Sequence, residues 1–379
     1  MKKNYLILAF SFLVAGCGQQ ISKSHPEETG ARQAMERDIE MMKDPSLGYI
    51  PSDRLLVAKQ YKDDLMRQES ALTGVEWNPL GPNNQGGRSR TILIDANDPT
   101  GKTIFAASVS GGLWRTNDIT ATEPLWFPVN DLLGNLAIMS IAQDPVNPQK
   151  MYFCTGEGYS NIDYVRGLGV WASTDGGFTW LQLGSTNNSN FYYCQKTFVT
   201  STGVLFVATS TGLYRSADFG STFTKVLGTG LGITGATSNF TYDIEQASSG
   251  DLYASLYGSV HKSTDGGLSW SAAQTLPVTA ERIEIACAPS NSNYLYGLCE
   301  NSSELGAVIR TTDGGITWTA ASEPDDADTG IPNTDFTRGQ AWYDLTLAVD
   351  PNNPLRLFVG GVDLFVTGDG ASTWTQVSH

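Results

Sequence analysis

Short apolar runs that alternate with polar residues recur along most of this 379-residue chain. Ile138–Ala142 and Met151–Thr155, for example, flank a turn at 144–148 that contains Asp, Asn and two prolines. Period-two alternation over four to eight residues, bounded by such turn residues, is typical of antiparallel strands. The glycine and proline counts, 40 and 16, supply the many turns that short strands need. The pattern therefore predicts an all-β fold for most of the chain.

One eight-residue pattern, Ser/Thr-x-Asp-x-Gly-x-Ser/Thr followed by an aromatic residue, is repeated along this β region. It stands in full at Thr311–Trp318, and the copy at Thr367–Trp374 has Ala371 in place of its glycine. The aspartates recur 43 to 57 residues apart, a period typical of propeller blades or solenoid units. The six aspartates are Asp118 (in a degenerate copy), Asp175, Asp218, Asp265, Asp313 and Asp369.

Four strands can be written around each copy, so residues 75–379 hold six units of blade size. The sequence predicts a six-bladed, or incomplete seven-bladed, β-propeller of four-stranded antiparallel blades. Val75–Pro79 has the pattern of a further strand, although the last unit already has a predicted fourth strand of its own at Thr373–Val377. Both forms of the ring therefore stay open. The predicted blades are 86–130, 135–184, 190–227, 240–272, 282–320 and 341–377.

The chemistry of the repeated segment indicates a structural role. An Asp carboxylate accepts backbone N–H bonds across a tight turn, and the glycine provides positive φ. The flanking Ser and Thr suit strands, and the aromatic ring buries a large apolar area. We therefore predict that the six aspartates hold hairpin turns and take no part in catalysis. Arg115, Arg215 and Arg310 each precede a copy, so they are also predicted to be structural.

The N-terminal region differs from the repeats. Residues 1–16 place two lysines before an apolar run and end in small residues next to Cys17, which is the layout of a lipoprotein signal peptide. We expect Cys17 to carry the lipid and to anchor an exported protein at the outer membrane or cell surface. Residues 17–30 are polar and predicted to be a tether, and 31–74 contain two short amphipathic helices.

Charge and cysteine content narrow the classes of partner. Lys and Arg number 24 against 39 Asp and Glu, a formal net charge of −15, which disfavours nucleic acid and anionic membranes. We expect a monomer that meets the membrane only through the lipid. Cys154, Cys194, Cys287 and Cys299 match no zinc pattern; they form either disulfides or buried thiols. No cofactor is expected, apart from a weak calcium-like pattern at Asp326 and Asp328.

The repeated segment resembles the Asp-box (BNR) repeats of sialidases, xyloglucanases and the sortilin propeller. Trp77–Pro82, Gly86–Arg88 and Ser110–Arg115 also resemble secreted Asp-box propellers of Bacteroidetes-type bacteria. The resemblance covers about four fifths of the chain. It implies the propeller fold, and it leaves the activity open because the superfamily contains hydrolases, receptors and assembly factors.

Two functions are compatible with the loops of one propeller face. A glycoside hydrolase of sialidase or xyloglucanase type requires carboxylates at the site, and the candidates are Glu157, Asp163 and Asp335. A propeller that binds a glycan or a protein requires only aromatic and polar loop residues. The candidate ligand-binding residues are Arg88, Arg90, Tyr159, Tyr164, Arg166, Arg338, Trp342 and Tyr343. The binding function requires least of the sequence, so we predict a binding or interaction module and keep the hydrolase as the alternative.

Overall fold

The computed structural model describes residues 36–37, 39–49, 51, 54–68, 88–159, 164–236, 238–327 and 335–378. The chain divides into two compact units, Met1–Val75 and Glu76–His379. In the first unit, residues 39–42 are helical and helix α1 spans Leu55–Gln68. The signal peptide, Cys17 and the strand predicted at Val75–Pro79 lie outside the described residues. Within the described part, no helix has both the length and the apolar character needed to cross a bilayer.

The second unit is a six-bladed β-propeller of antiparallel sheets in chain order. Blade I contains β1 (Ser89–Ile94), β2 (Ile104–Ser108), β3 (Gly112–Thr116) and β4 (Trp126–Pro128). Blade II contains β5 (Ile138–Gln143), β6 (Met151–Thr155), β7 (Val170–Ser173) and β8 (Leu181–Gln182). Blade III contains β9 (Cys194–Val199), β10 (Leu205–Thr209), β11 (Gly212–Ser216) and β12 (Thr224–Leu227). Blade IV contains β13 (Thr241–Gln246), β14 (Leu252–Leu256) and β15 (Ser259–Ser263). Blade V contains β16 (Ile283–Cys287), β17 (Leu295–Asn301), β18 (Glu304–Thr311) and β19 (Thr319–Ala320). Blade VI contains β20 (Thr346–Val349), β21 (Leu357–Gly360), β22 (Leu364–Thr367) and β23 (Thr375–Gln376). A four-residue helix, α2 (Ala341–Asp344), precedes blade VI.

Blade IV lacks a regular fourth strand. The segment that follows its turn still bonds to β15, since Ser271 N donates to Lys262 O (2.8 Å) and Gln274 N donates to Val260 O (2.9 Å). Between them, Ala273 N donates to Thr234 O (2.9 Å) outside the sheet, which pulls the segment out of strand geometry. The outer edge of this blade is thus partly covered by irregular chain.

The first strand of each blade lies nearest the axis, and β1, β5, β9, β13, β16 and β20 follow one another around it. Apolar clusters fill the space between consecutive blades, as in the cluster of Phe105, Ile141 and Phe153 between blades I and II. Burial of such large side chains provides about 1.5–3 kcal/mol each. The propeller is therefore held together by sheet-on-sheet packing in series around the axis.

The repeated aspartates close the turn between the third and fourth strands. Asp313 Oδ1 accepts from Ile316 N (3.0 Å) and Thr317 N (2.9 Å), and its Oδ2 accepts from Thr317 Oγ1 (2.6 Å). Thr311 Oγ1 accepts from Gly315 N (3.0 Å) on the other side of the turn. We call this arrangement the clasp. Bonds to the main-chain N–H and the hydroxyl four residues on recur at Asp175, Asp218, Asp265 and Asp369.

Basic residues that precede a clasp bond to the clasp of the next blade. Arg215 Nε donates to Gly266 O (2.9 Å), and Arg310 Nη1 donates to Gly370 O (2.6 Å). Lys262, at the same position of blade IV, donates to Gly314 O (3.0 Å). These side chains couple one sheet to the next outside the apolar layer.

The four cysteines of the propeller are free thiols. Cys154, Cys194 and Cys299 are buried, and Cys287 is half-buried. Burial raises the pKa of the Cys299 thiol to about 12 and also raises that of Cys194. These thiols pack as small apolar side chains in the structure.

Candidate functional site

A cavity of about 410 Å³ opens at the centre of the propeller, and the first strands of all six blades line it. In blades I to IV a β-bulge near the start of the first strand adds one residue that faces this cavity. The four bulge residues are Arg90, Met139, Gln195 and Tyr242. The bulges therefore place chemically different side chains at equivalent points around the axis. We call this space the channel cavity.

Three tyrosines and an arginine form one side of the channel cavity. Tyr159 comes from the β6–β7 loop and stacks 6.5 Å from Tyr242, while Tyr343 from α2 meets Tyr159 edge-on at 5.4 Å. Arg90 Nη1 donates to Tyr343 O (2.7 Å), and its Nη2 donates to Tyr159 Oη. The Arg90 guanidinium also lies 4.8 Å and 5.0 Å from the Tyr159 and Tyr343 ring centroids, within cation–π range.

Blades III and V add charged residues to the lining of the channel cavity, namely Lys196, Arg282 and Glu284. Lys196 Nζ pairs with Asp243 and with Glu245 (2.6 Å), and Arg282 Nη2 pairs with Glu284 (2.5 Å). Burial lowers the pKa of Lys196, but the carboxylates of Asp243 and Glu245 outweigh it, and the net shift is upward. Burial raises the pKa of Glu284 even though Arg282 opposes the shift. The two cations offset two of the three carboxylates, so this cluster shapes the cavity without a large excess of either charge.

Some polar groups at the channel cavity lack hydrogen-bond partners among the described residues. Gln195 is only 4% exposed, yet neither its Oε1 nor its Nε2 is bonded. Asp344 Oδ1 and the buried Tyr343 Oη are likewise without partners. Burial raises the pKa of Asp344 to about 6, although Arg282 and Arg90 lower it. Because unsatisfied buried polar atoms cost about 1–3 kcal/mol each, these groups are suited to a ligand that completes their bonds.

A second cavity of about 280 Å³ lies beside the first, and Tyr159, Tyr242 and Arg282 line both. Aromatic rings dominate its wall, and the carboxylates of Glu281 and Glu300 stand among them. Its other lining residues are Phe240, Tyr257 and Trp342. We call this space the aromatic cavity. The two cavities form one polar and one aromatic compartment on either side of a stacked tyrosine pair.

The candidate carboxylates lie in different settings. Glu157 is fully buried and bridges to Val165 through its main chain. Asp335 is buried and holds a turn, where its oxygens accept from Thr337 N (3.2 Å), Thr337 Oγ1 and Gly339 N (2.7 Å). Asp163 lies outside the described residues. None of the three lines either cavity in the described part of the chain.

The predicted ligand-binding residues are divided in the same way. Arg90, Tyr159 and Tyr343 line the channel cavity, Trp342 lines the aromatic cavity, and Arg88 lies 5.8 Å from the Tyr343 ring. The remaining three lie apart from these five.

Each of those three has a different neighbour. Tyr164 is exposed and meets Tyr193 edge-on at 5.8 Å. The Arg166 guanidinium lies 3.7 Å from the Tyr192 ring centroid. Arg338 pairs with Asp363 at 2.5 Å.

Sequence reasoning missed Gln195, Tyr242, Arg282 and Asp344. The first two are bulge residues, and a bulge leaves no residue signature in a strand. A signal for Arg282 and Glu284 was present, since two opposite charges stand in a run that otherwise reads as a buried strand. Among the residues that the structure describes, no group of three or more His, Cys, Asp or Glu side chains could hold a metal ion. Asp326 lies 3.7 Å from Arg338, and Asp328 is outside the described residues.

No protein-family profile matches the chain. Among curated proteins it is similar to xyloglucanase Xgh74A of Acetivibrio thermocellus, with 28% identity over 244 residues, or 55% of this chain and 28% of that protein. A xyloglucanase from Paenibacillus sp is 28% identical over 209 residues, or 46% of this chain and 20% of the relative. The chain thus spans between a fifth and a third of the length of these curated relatives.

Solved propellers share the fold at low identity. An ancestral GH74 enzyme has a TM-score of 0.57 and 17% identity, covering 80% of this chain and 40% of its own. The extracellular domain of the hybrid two-component system BT4673 from B. thetaiotaomicron has a TM-score of 0.55 and 13% identity, covering 78% and 34%. YCF48 from Cyanidioschyzon merolae has a TM-score of 0.51 and 13% identity, covering 78% and 86%. This chain is a six-bladed β-propeller, similar over about half its length to xyloglucanases.

Proposed function

We propose that this propeller binds a carbohydrate chain in the channel cavity and the adjacent aromatic cavity. The observation that carries the proposal is the set of unsatisfied polar groups beside aromatic rings. Sugar hydroxyls both donate and accept, so one hydroxyl pair satisfies both ends of the Gln195 amide, and others reach Asp344 and Tyr343. The C–H faces of a sugar ring pack on tyrosine and tryptophan, which the aromatic cavity supplies.

The similarity to xyloglucanases supports xyloglucan or a similar polysaccharide as the class of ligand. Two adjacent cavities that share lining residues suit two neighbouring sugar units better than one small solute, because each compartment has its own chemistry. The negative net charge of the chain also favours a neutral polysaccharide over an acidic one.

A second candidate function is glycoside hydrolysis. Asp344 favours it, because a carboxyl group whose pKa is raised to about 6 and whose Oδ1 has no described partner is suited to hold the proton of a general acid. Hydrolysis also requires a second carboxylate about 5–9.5 Å away. Glu284 lines the same cavity, but its bond to Arg282 restricts that role.

The experiment is a calorimetric titration of wild-type protein with xyloglucan oligosaccharides, together with Gln195→Leu and Asp344→Asn. We expect Gln195→Leu to weaken binding by about ten-fold or more, since it removes two hydrogen bonds. Gln182→Leu on β8 and the exposed Asp131→Asn are matched controls and should bind as wild type. Unchanged affinity in Gln195→Leu would place the ligand elsewhere.

The same samples distinguish binding from hydrolysis. New reducing ends that form with wild type and are lost with Asp344→Asn, while affinity is kept, would make the protein an enzyme. Binding without turnover in both proteins supports the binding module.

We also propose that the repeats belong to the Asp-box class and that the protein is exported and lipid-anchored through Cys17. The clasp geometry supports the first proposal, and the charged, apolar and small residues that end at Cys17 support the second. Metabolic labelling with a radioactive fatty acid tests the anchor. Label that persists in Cys17→Ser would refute it.

A further inference from the structure

Another cavity, of about 360 Å³, lies on the outer side of the interface between blades III and IV. Strand β12 of blade III forms one wall, and the clasp of blade IV forms the other. Val226, Leu231, Ile233 and Leu268 give this cavity an apolar lining, and Leu231 and Leu268 are exposed. We call this space the outer groove. Among the described residues, none lines both the outer groove and either of the two cavities at the propeller axis, so its chemistry is separate.

The indole of Trp270 brings an unsatisfied donor to the outer groove. The ring packs in the apolar cluster between blades III and IV and is 9% exposed, and its Nε1 is bonded to no described residue. Tryptophans at the same position of other clasps are bonded: Trp180 Nε1 donates to Gly177 O (2.9 Å), and Trp318 Nε1 donates to Gln274 Oε1 (2.8 Å). A buried N–H without an acceptor is costly, so Trp270 favours a ligand that supplies one.

Two cations that line the outer groove have no carboxylate partner within the described part of the chain. Arg215 Nε donates to Gly266 O (2.9 Å), which leaves both Nη groups without a described acceptor. Lys225 Nζ donates to Asn239 Oδ1 (2.7 Å), a neutral acceptor, and burial lowers the pKa of its ammonium group. Guanidinium, ammonium and indole N–H groups donate and do not accept. The bonding capacity that these side chains leave therefore selects an anionic acceptor.

The next groove around the ring has the same position in its blades, but its cation is satisfied. It lies between blades IV and V, has a volume of about 410 Å³ and is also lined by Trp270. Lys262 takes the position of Arg215 there; it pairs with Asp251 (2.9 Å) and donates to Gly314 O (3.0 Å). A cation with its own carboxylate has little attraction left for an external anion. The unpaired cations are thus a property of the outer groove and not of every interface between blades.

We propose that the outer groove binds a small monocarboxylic acid with an apolar chain, such as a medium-chain fatty acid. The carboxylate accepts from the Arg215 guanidinium, whose planar donors match its two oxygens, and from Trp270 Nε1. The chain lies along Leu231, Ile233 and Leu268, which removes exposed apolar area from water. The volume lies at the lower end of the range for small-molecule sites and suits a ligand of this size. The proposal is independent of carbohydrate binding in the channel cavity.

The test is a calorimetric titration of the wild-type protein with octanoate, which we expect to bind. Trp270→Phe, which keeps an apolar ring and removes the N–H, and Arg215→Gln should each weaken octanoate binding by about ten-fold. Each has a matched control at the same position of another blade, where the donor is bonded within the protein: Trp180→Phe and Arg310→Gln should bind as wild type. Leu268→Glu, at an exposed position of the lining, should abolish binding by charge repulsion while the Tm stays that of wild type.

Variation of the ligand separates the contribution of the charge from that of the chain. Octylammonium and octanol have the chain without the anion, and acetate has the anion without the chain, so each should bind at least about ten-fold more weakly than octanoate. The proposal is overturned if wild type does not bind octanoate, if octanol binds equally well, or if folded Trp270→Phe, Arg215→Gln and Leu268→Glu all bind octanoate as wild type does. It is also overturned if octanoate displaces a xyloglucan oligosaccharide, because the acid then occupies the channel cavity.

Discussion

At the residue scale, the channel cavity concentrates groups that the fold leaves incomplete. Gln195 is buried without a described partner, and Asp344 keeps one carboxylate oxygen unbonded. Arg282, by contrast, is bonded to Glu284 and to the carbonyls of Ala341 (3.3 Å) and Leu345 (3.2 Å). The contrast separates groups that hold the wall of the cavity from groups with bonding capacity left for a ligand.

The raised pKa of Asp344 gives a pH-dependent prediction. Its folded pKa of about 6 exceeds the ordinary 3.8, so the folded state holds the extra proton and stability falls as pH rises from about 4 to about 6. Asp344→Asn mimics the protonated group and removes this loss. Between pH 4 and pH 7 we expect the Tm of Asp344→Asn to rise by about 2 °C relative to that of wild type. This corresponds to about 1 kcal/mol in the free energy of unfolding after allowance for solvent screening.

Differential scanning fluorimetry across that range measures the difference, with Asp131→Asn as the exposed control. A constant difference between Asp344→Asn and wild type would show that the carboxyl group ionises as an ordinary surface aspartate does.

Residues of the site were predictable where topology alone decided. Tyr159 and Tyr343 follow from the rule that the second-to-third-strand loops and the blade connections share one face. Arg90 was assigned to that face as a loop residue, whereas it is the bulge residue of β1. Gln195 and Tyr242 were not predictable, because a bulge shifts the residue toward the axis and its side chain can be of any type. Asp344 lies in a helix of four residues, which is too short to show helical periodicity in the sequence.

At the element scale, the clasp glycines show why the repeat is strict. Gly314 and Gly315 both have positive φ, +71° and +81°. A Cβ at Gly315 would lie 2.9 Å from Tyr253 Cε1, whereas one at Gly314 would meet nothing closer than 3.7 Å. Gly314 is thus required for the backbone conformation alone, whereas Gly315 also leaves room for the Tyr253 ring of the preceding blade.

This pair predicts unequal costs. Gly314→Ala should lower the free energy of unfolding by about 1 kcal/mol, because alanine is strained in the left-handed backbone conformation. Gly315→Ala should lower it by about 2–4 kcal/mol, because its methyl group also overpacks against the Tyr253 ring. Urea unfolding followed by tryptophan fluorescence measures both. Equal costs would contradict the contact between clasp and ring.

Strand prediction succeeded best in the inner strands. Met151–Thr155 was predicted with the bounds that the structure shows, and Ile138–Ala142 differs from β5 by one residue at its end. The outermost strand of the last blade was predicted too long, at Thr373–Val377 against β23 at Thr375–Gln376, because Thr373 is bonded within the clasp. The irregular fourth segment of blade IV was not visible either, since the bond from Ala273 to Thr234 joins residues far apart in sequence.

At the scale of the whole molecule, the clasps act together on acid stability. Hydrogen bonds from Thr222, Ser269 and Thr317 hold the pKa values of Asp218, Asp265 and Asp313 at about 2. Because the pKa values of these aspartates in the folded state lie below the ordinary 3.8, their contribution to stability is present above about pH 4. It is lost as the pH falls through about 2.

We therefore predict a steep fall in Tm between pH 4 and pH 2. Asp313→Asn should fall less over that interval than wild type, because one titrating clasp is removed, while it starts from a lower Tm at pH 6. Calorimetric scans at pH 6, 4, 3 and 2 test this. A parallel fall in both proteins would assign acid unfolding to other carboxylates.

The ring as a whole places all six first strands around one cavity, where we propose that a carbohydrate binds. The most direct measurement is a crystal structure with a bound xyloglucan oligosaccharide. We expect a sugar ring on Tyr159 or Tyr242, with hydroxyls within about 3.2 Å of the Gln195 amide and the Asp344 carboxylate. A saccharide bound only on the outer strands or the clasp face, with the channel cavity empty, would contradict it.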